Sequence, residues 1–162
     1  GISTIEDFNT SIDLEADAYI PATYIVNEVQ KLDIYKRIAG IENEKECDDM
    51  REELLDRFGE IPKSAENLLR IALIRSHAHK LYMPEVKGKD ETIRFQLRPD
   101  ARIRVENIPR LLQAYEGRLT FEPKGVPMFR MRYKKCGVIE KDEALLLGLT
   151  EAVLKDMEEL LL

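Results

Sequence analysis

Residues Glu53-Leu-Leu-Asp-Arg-Phe-Gly-Glu-Ile-Pro62 constrain the fold of this chain more than any other stretch. Leu54 and Phe58 lie four apart, the spacing that puts two side chains on one helix face, so both point into the core from a last helical turn. Gly59 stands where a left-handed residue closes a helix, and Pro62 where the next helix opens. The stretch reads as a fixed corner between two amphipathic helices. Glu53, Asp56 and Arg57 are left on or near its solvent side, so the residues that turn the chain also carry a charged face.

The periodicity around the corner is helical before it and mixed after it. Residues 1–11 show no sustained period and read as a linker or lead-in. From Ile12 to Ile20 apolar and polar residues alternate, which predicts an extended segment with one acidic face. Pro21 is placed to start a helix with Ile25, Val29, Leu32 and Ile38 inward, ended by Gly40. A second helix starts at Asn43, with Glu46 three residues on in a capping-box arrangement, and buries Cys47, Met50, Leu54 and Phe58. The third opens at Pro62 and is apolar over a wide arc (Ala65, Leu68, Leu69, Ala72, Leu73, Ile74, Leu81), the pattern of a helix contacted on two sides.

After Pro84 the period becomes two. Val86 opens a strand, Gly88-Lys-Asp-Glu91 makes a turn, and Ile93, Phe95 and Leu97 form the partner strand. Asn107 and Pro109 start a short helix ended by Gly117. Leu119 and Phe121 belong to a strand, residues 123–127 to a turn, and Phe129, Met131 and Tyr133 to a second strand. A last helix runs from about Lys141 to Leu160, with Leu145, Leu149, Val153 and Met157 in one stripe. This order of elements predicts an α+β fold: N-terminal helices, then β-hairpin, helix, β-hairpin, helix, with a small, mostly antiparallel sheet in a single domain over residues 12–162.

Chemistry-bearing motifs are scarce. The phosphate-loop pattern fails, because Gly88-Lys89 is followed by Asp90 and Met83 stands in the first glycine's place. His77 and His79 are two apart on a helix and face different sides, so they do not form a metal pair. No nucleophile elbow, Cys–His arrangement or dinucleotide fingerprint occurs. The residues therefore point to no catalytic group, no cofactor and no metal. No apolar run is long enough to span a membrane, and no secretory signal opens the chain. The two cysteines, Cys47 on an apolar helical position and Cys136 in a Lys-Lys-Cys-Gly turn, form no disulfide framework, which places the chain in the cytoplasm.

The net charge of −6 conceals an asymmetry. Residues 1–60 carry sixteen acids and six bases, whereas residues 94–135 carry eleven bases and four acids. Arg94, Arg98, Arg102, Arg104, Arg110, Arg118, Arg130 and Arg132 make the basic segment a candidate nucleic-acid-binding module. The competing expectation, which the acidic total favours, is pairing of this segment with the acidic front half or with another domain.

Three strings together resemble one family: Ile12-Asp-Leu-Glu-Ala-Asp-Ala-Tyr-Ile-Pro-Ala-Thr-Tyr-Ile25, Lys31-Leu-Asp-Ile-Tyr-Lys-Arg-Ile38, and Glu53 to Pro62 followed by Leu68-Leu69. They are similar, in order and spacing, to the C-terminal domain of bacterial transcription-repair coupling factors (Mfd), closely over residues 12–83. The resemblance implies a regulatory domain outside the motor of an ATP-driven DNA translocase that displaces stalled RNA polymerase and recruits excision repair through UvrA. It further implies that the domain packs against a UvrB-like N-terminal domain of the same polypeptide and covers the UvrA-binding surface. The clamp acid of the family falls on Glu53, and Asp56 and Arg57 match the motif as its neighbours. No family motif matches the basic segment or the Cys136 turn.

Overall fold

In the computed structural model the described residues are 8–162. They form five α-helices and a five-stranded mixed sheet, interspersed with short 3-10 turns. Of the stretch read as a lead-in, residues 1–7 lie outside the described ones. Within the stretch read as one domain, two compact units are distinguishable: a helical unit, Ala16–Ser76, and a sheet unit made of residues up to Glu15 with His77–Leu162.

In the helical unit, α1 spans Glu28–Ala39, α2 spans Glu44–Phe58, and α3 starts at Lys63 and runs to Lys80. The expected helix at Pro21 is instead a turn, in which the Pro21 carbonyl accepts from the amides of Tyr24 and Ile25. The true N-cap is Asn27, whose side chain accepts from the Gln30 amide. Within α1 the buried residues are Ile34 and, as expected, Ile38, while Val29 and Leu32 are exposed rather than inward. Asn43 caps α2 as expected, accepting from the Glu46 amide. Cys47, Met50 and Leu54 face a core shared with Ile20, Ile25, Ile34, Ile38, Ile41, Leu69 and Ala72, with Phe58 half-buried against it.

Gly59 ends α2 at φ +87° and ψ −161°, not in the left-handed helical well that the corner motif suggests. This region is essentially restricted to glycine. Tyr24 ties the corner down, its hydroxyl lying 3.1 Å from the Leu54 carbonyl and 2.9 Å from that of Gly59. The Pro62 carbonyl then accepts from Ala65 and Glu66 to open α3. Along α3 every residue from Ser64 to His79 is buried or half-buried, as the wide apolar arc demands. Arg51 of α2 grips Glu66 of α3 through Nε at 3.1 Å and Nη2 at 2.7 Å.

In the sheet unit the strands are β1 (Ser11–Asp13), β2 (Glu85–Lys89), β3 (Thr92–Gln96), β4 (Leu119–Glu122) and β5 (Met128–Arg132). Their spatial order is β1-β2-β3-β5-β4, parallel only between β1 and β2. Of the extended segment expected from Ile12 to Ile20, only Ile12 and Asp13 lie in a strand, which begins at Ser11. The β2–β3 turn is tighter than expected, with Asp90 and Glu91 both at positive φ, the geometry that matches strand twist in a two-residue hairpin. Gly88 therefore belongs to the strand. A Cβ there would meet methyls of Leu14 and Leu146 at 3.2 Å, so a bare backbone admits those side chains.

One sheet face buries Val86, Ile93, Phe95, Leu119, Phe129 and Met131. The short helix α4 (Ile108–Ala114) forms as expected, with Pro109 in its first turn. The last helix, α5, spans Ile139–Asp156 and continues as a 3-10 turn to Leu160. Its buried residues are Leu146, Leu147, Thr150, Val153 and Leu154; of the expected stripe, Val153 and, just past the helix, Met157 are buried, Leu149 is half-buried, and only Leu145 is exposed. At the other end, Phe8 stacks on His79 at 4.3 Å between ring centroids, and Thr10 Oγ1 donates to the Met83 carbonyl at 2.7 Å.

Because an added Cβ at Gly59 meets no atom within 4 Å, the cost of Gly59→Ala is purely that of its backbone conformation. A loss of about 1–3 kcal/mol is expected, seen as a lower urea midpoint at unchanged slope. Leu54→Ala should cost about 2–5 kcal/mol by leaving a cavity in the core.

Candidate interdomain interface at the helix corner

The α2 sequence places Glu53 one residue before buried Leu54 and four before Arg57, so Glu53 and Arg57 share a helix face. Arg57 Nη1 lies 2.7 Å from Glu53 Oε2. A second cation arrives from the last turn of α1: Arg37 grips the same carboxylate in bidentate fashion, Nη1 to Oε2 at 2.6 Å and Nη2 to Oε1 at 2.5 Å. Three charge-assisted hydrogen bonds on one carboxylate hold its rotamer firmly. The hydrogen bond from Arg37, then that from Arg57, lowers the Glu53 carboxyl from its ordinary 4.5 to about 2.

The three sequence-predicted site residues therefore differ in state. Glu53 is half-buried and fully engaged within its own unit. Arg57 splits between Glu53 and the Phe58 ring, over which its guanidinium carbon sits 4.9 Å from the centroid. Asp56 is exposed, and its carboxylate has no hydrogen bond or ion pair among the described residues. Arg37 is the member that sequence reasoning missed. Its signal was available, since it lies in the matched string Lys31–Ile38, but no spacing rule connects two residues sixteen apart on different helices.

Beside this cluster lies a cleft of about 330 Å³ lined by Arg37, Gly40, Ile41, Glu46, Asp49, Met50 and Glu53. Glu46 lends it an unusual feature, because its Oε2 is buried without a hydrogen-bond partner among the described residues. The reciprocal half of the capping box is thus not made. With Asp49 and Glu53 at its rim, the cleft suits a cationic or hydrogen-bond-donating side chain.

The basic segment does not gather into one patch. Arg98 pairs with Asp100 at 2.8 Å, Arg110 with Glu159 at 3.5 Å, and Arg104 Nε donates to the Leu161 carbonyl. Contacts to the acidic front half within the sheet unit run instead through Lys87–Asp13 and Lys135–Glu15. Cys47 is buried, and burial pushes its thiol pKa up, as a core cysteine requires; Cys136 is exposed.

Comparison with known proteins decides the family. The model of the TRCF domain family matches residues 14–108, more than half of the chain. The chain belongs to the TRCF domain family. It is 35% identical over 101 residues to the transcription-repair-coupling factor of Bacillus subtilis, covering 62% of this chain and 9% of that protein. Over 90 residues it is 39% identical to the transcription-repair-coupling factor of Staphylococcus epidermidis, covering 56% of this chain and 8% of the relative. The chain thus spans under a tenth of the curated relatives it matches. A solved structure described as the C-terminal domain of transcription-repair coupling factor superposes with a TM-score of 0.67 at 32% identity, covering 93% of this chain and 95% of the other. The fold and the repair-factor assignment that the three strings imply are therefore correct. No helix among the described residues is long and apolar enough to cross a membrane.

The lowered Glu53 pKa predicts a specific pH dependence. The stabilisation is fully present above the ordinary value of 4.5 and is lost as pH falls toward about 2. Urea titrations should show Glu53→Gln about 1 kcal/mol less stable than wild type at neutral pH, since solvent still reaches these groups. That gap should close between the two pH values.

Proposed function

We propose that this chain is a non-catalytic regulatory domain of a transcription-coupled repair translocase. It docks on the UvrB-like N-terminal domain of its own polypeptide and masks the surface that would receive UvrA. RNA polymerase and the DNA that the motor translocates are engaged by other parts of that cytoplasmic protein, and the domain itself needs no cofactor or metal.

The observation that carries the reading is the corner face: exposed, unpaired Asp56 beside a carboxylate already ordered by Arg37 and Arg57. A latch must be specific yet reversible, and charged groups at a rim meet both needs better than a large apolar patch. Ordering by Arg37 and Arg57 removes the entropy cost of fixing Glu53 on docking. An arginine of the facing domain then meets Glu53 by exchange, displacing one of the two internal guanidiniums, while Asp56 supplies a charge that is free from the start. The adjoining acidic cleft accepts a further donor. Exposed ion pairs contribute only about 0.2–1 kcal/mol each, so several must act together.

To test it, association of the chain with the UvrB-like region is measured by calorimetry. Wild type should bind. Asp56→Arg should weaken binding about tenfold or more without loss of stability, because Asp56 has no internal partner to abandon. Glu53→Arg should abolish binding and also loosen the corner, with its helical signal as the check on folding. Absence of wild-type binding, or equal binding by both reversals, removes the latch from this face.

A further inference from the structure

The sheet has a second face, and its composition has no structural use. One register row crosses all five strands as Asp13, Lys87, Arg94, Arg130 and Thr120. The next row toward the β2–β3 turn holds Lys89, Thr92 and Arg132. The row on the other side holds Ser11, Glu85, Gln96, Met128 and Glu122. All of these residues are exposed or half-buried, so this face is open where the opposite one is closed by apolar side chains.

Arg94 and Arg130 stand directly opposite each other. Like charges in that relation repel and destabilise the sheet, since their Cβ atoms sit only about 5 Å apart. Neither guanidinium has a carboxylate partner among the described residues; Arg94 merely reaches the Lys89 carbonyl at 3.4 Å. Lys87, the next cation in the row, has only a loose pair to Asp13 at 3.9 Å. Five cations thus occupy the three central strands, while the acids of this face sit on the edge strands, at Asp13 and Glu122, or at the far end, at Glu85. The fold keeps an unneutralised repulsion at the centre of the sheet and fences it with negative charge.

We propose that this open face binds the phosphate backbone of duplex nucleic acid, with Lys87, Arg94 and Arg130 as its central contacts and Lys89 and Arg132 extending them. Bound phosphates convert the Arg94–Arg130 repulsion into shared attraction. Thr92, Gln96 and Thr120 add hydrogen-bonding side chains of the kind that position a backbone. Apart from Met128 the face has no apolar side chain, which disfavours a protein partner, whose interface needs a desolvated centre. It has no aromatic side chain either, so it lacks the stacking platform that single strands require. Binding is independent of sequence, because no element on this face is shaped to enter a groove. The role stands apart from the latch, which uses α1 and α2.

Fluorescence anisotropy of the 162-residue chain with a labelled mixed-sequence DNA duplex tests this. Three central phosphate contacts predict micromolar binding that weakens about 40-fold between about 50 and about 200 mM salt. R94Q/R130Q should weaken binding at least tenfold at the lower salt and flatten the salt slope. Its melting temperature should hold or rise, because a cross-strand repulsion is removed. R102Q/R110Q removes the same charge outside the sheet and should bind nearly as wild type. No saturable binding at low salt, or equal loss in the two double variants, overturns the proposal. So does tighter binding of a single strand than of the duplex, or displacement of the duplex by polyglutamate at equal charge, which would assign the face to an acidic protein.

Discussion

The helical unit turns on the reversal between α2 and α3, which rests on Gly59 in a conformation closed to other residues and on the Tyr24 hydroxyl shared between two carbonyls. One Tyr24 hydroxyl reaches the Leu54 carbonyl inside α2 and the Gly59 carbonyl past its end, which ties the last turn of the helix to the residues that leave it. The Tyr24 ring packs against Phe58 at 5.8 Å between centroids. With the corner fixed, Leu54 enters the core, Arg51 reaches Glu66, and Glu53 is delivered to the solvent edge beside Arg37. The charged face is a consequence of how the chain turns.

Electrostatics in this protein is decided by pairing more than by totals. A chain of net −6 contains a carboxylate held by two guanidiniums and two guanidiniums facing each other with none. Glu53 is conspicuous in the sequence as one more acid in an acidic helix, yet its environment is locally cationic. Arg94 and Arg130 are two of many arginines in a basic segment, yet they alone share a cross-strand pair on an open face. Segment charge predicted a diffuse basic region; the strand register concentrates part of it and disperses the rest into local pairs such as Arg98–Asp100.

What was legible followed from local rules with strong physical causes. Asn43 had to cap α2 because its side chain satisfies an orphan amide, and Gly40 is the C-cap of α1, whereas α4 ends at Ala114 on Tyr115, ahead of the expected Gly117. Strand alternation placed Phe95, Phe129 and Met131 on the buried face. The failures came where two local solutions compete. Proline opens a helix or a turn equally well, so Pro21 gave no way to see that Asn27 would cap α1, and the inward assignment of Val29 and Leu32 fell with it. In α5 a leucine-rich run offers several apolar stripes, and only packing chose Leu146 and Leu147 over Leu145. Gly88 reads as a turn glycine from its neighbours, but Leu14 and Leu146 approach its backbone closely.

The sequence by itself determined the α+β order of elements, the corner, the family and the position of the candidate latch acids, because each depends on spacings within a few residues. Only the tertiary structure decided which charges meet. Arg37 and Glu53 are sixteen positions apart, and Arg94 and Arg130 thirty-six, so no periodicity connects them. Helix packing brought the first pair together as attraction, and strand register brought the second together as repulsion. A charge acquires its meaning from its distance to the next one, and that distance is set by the fold.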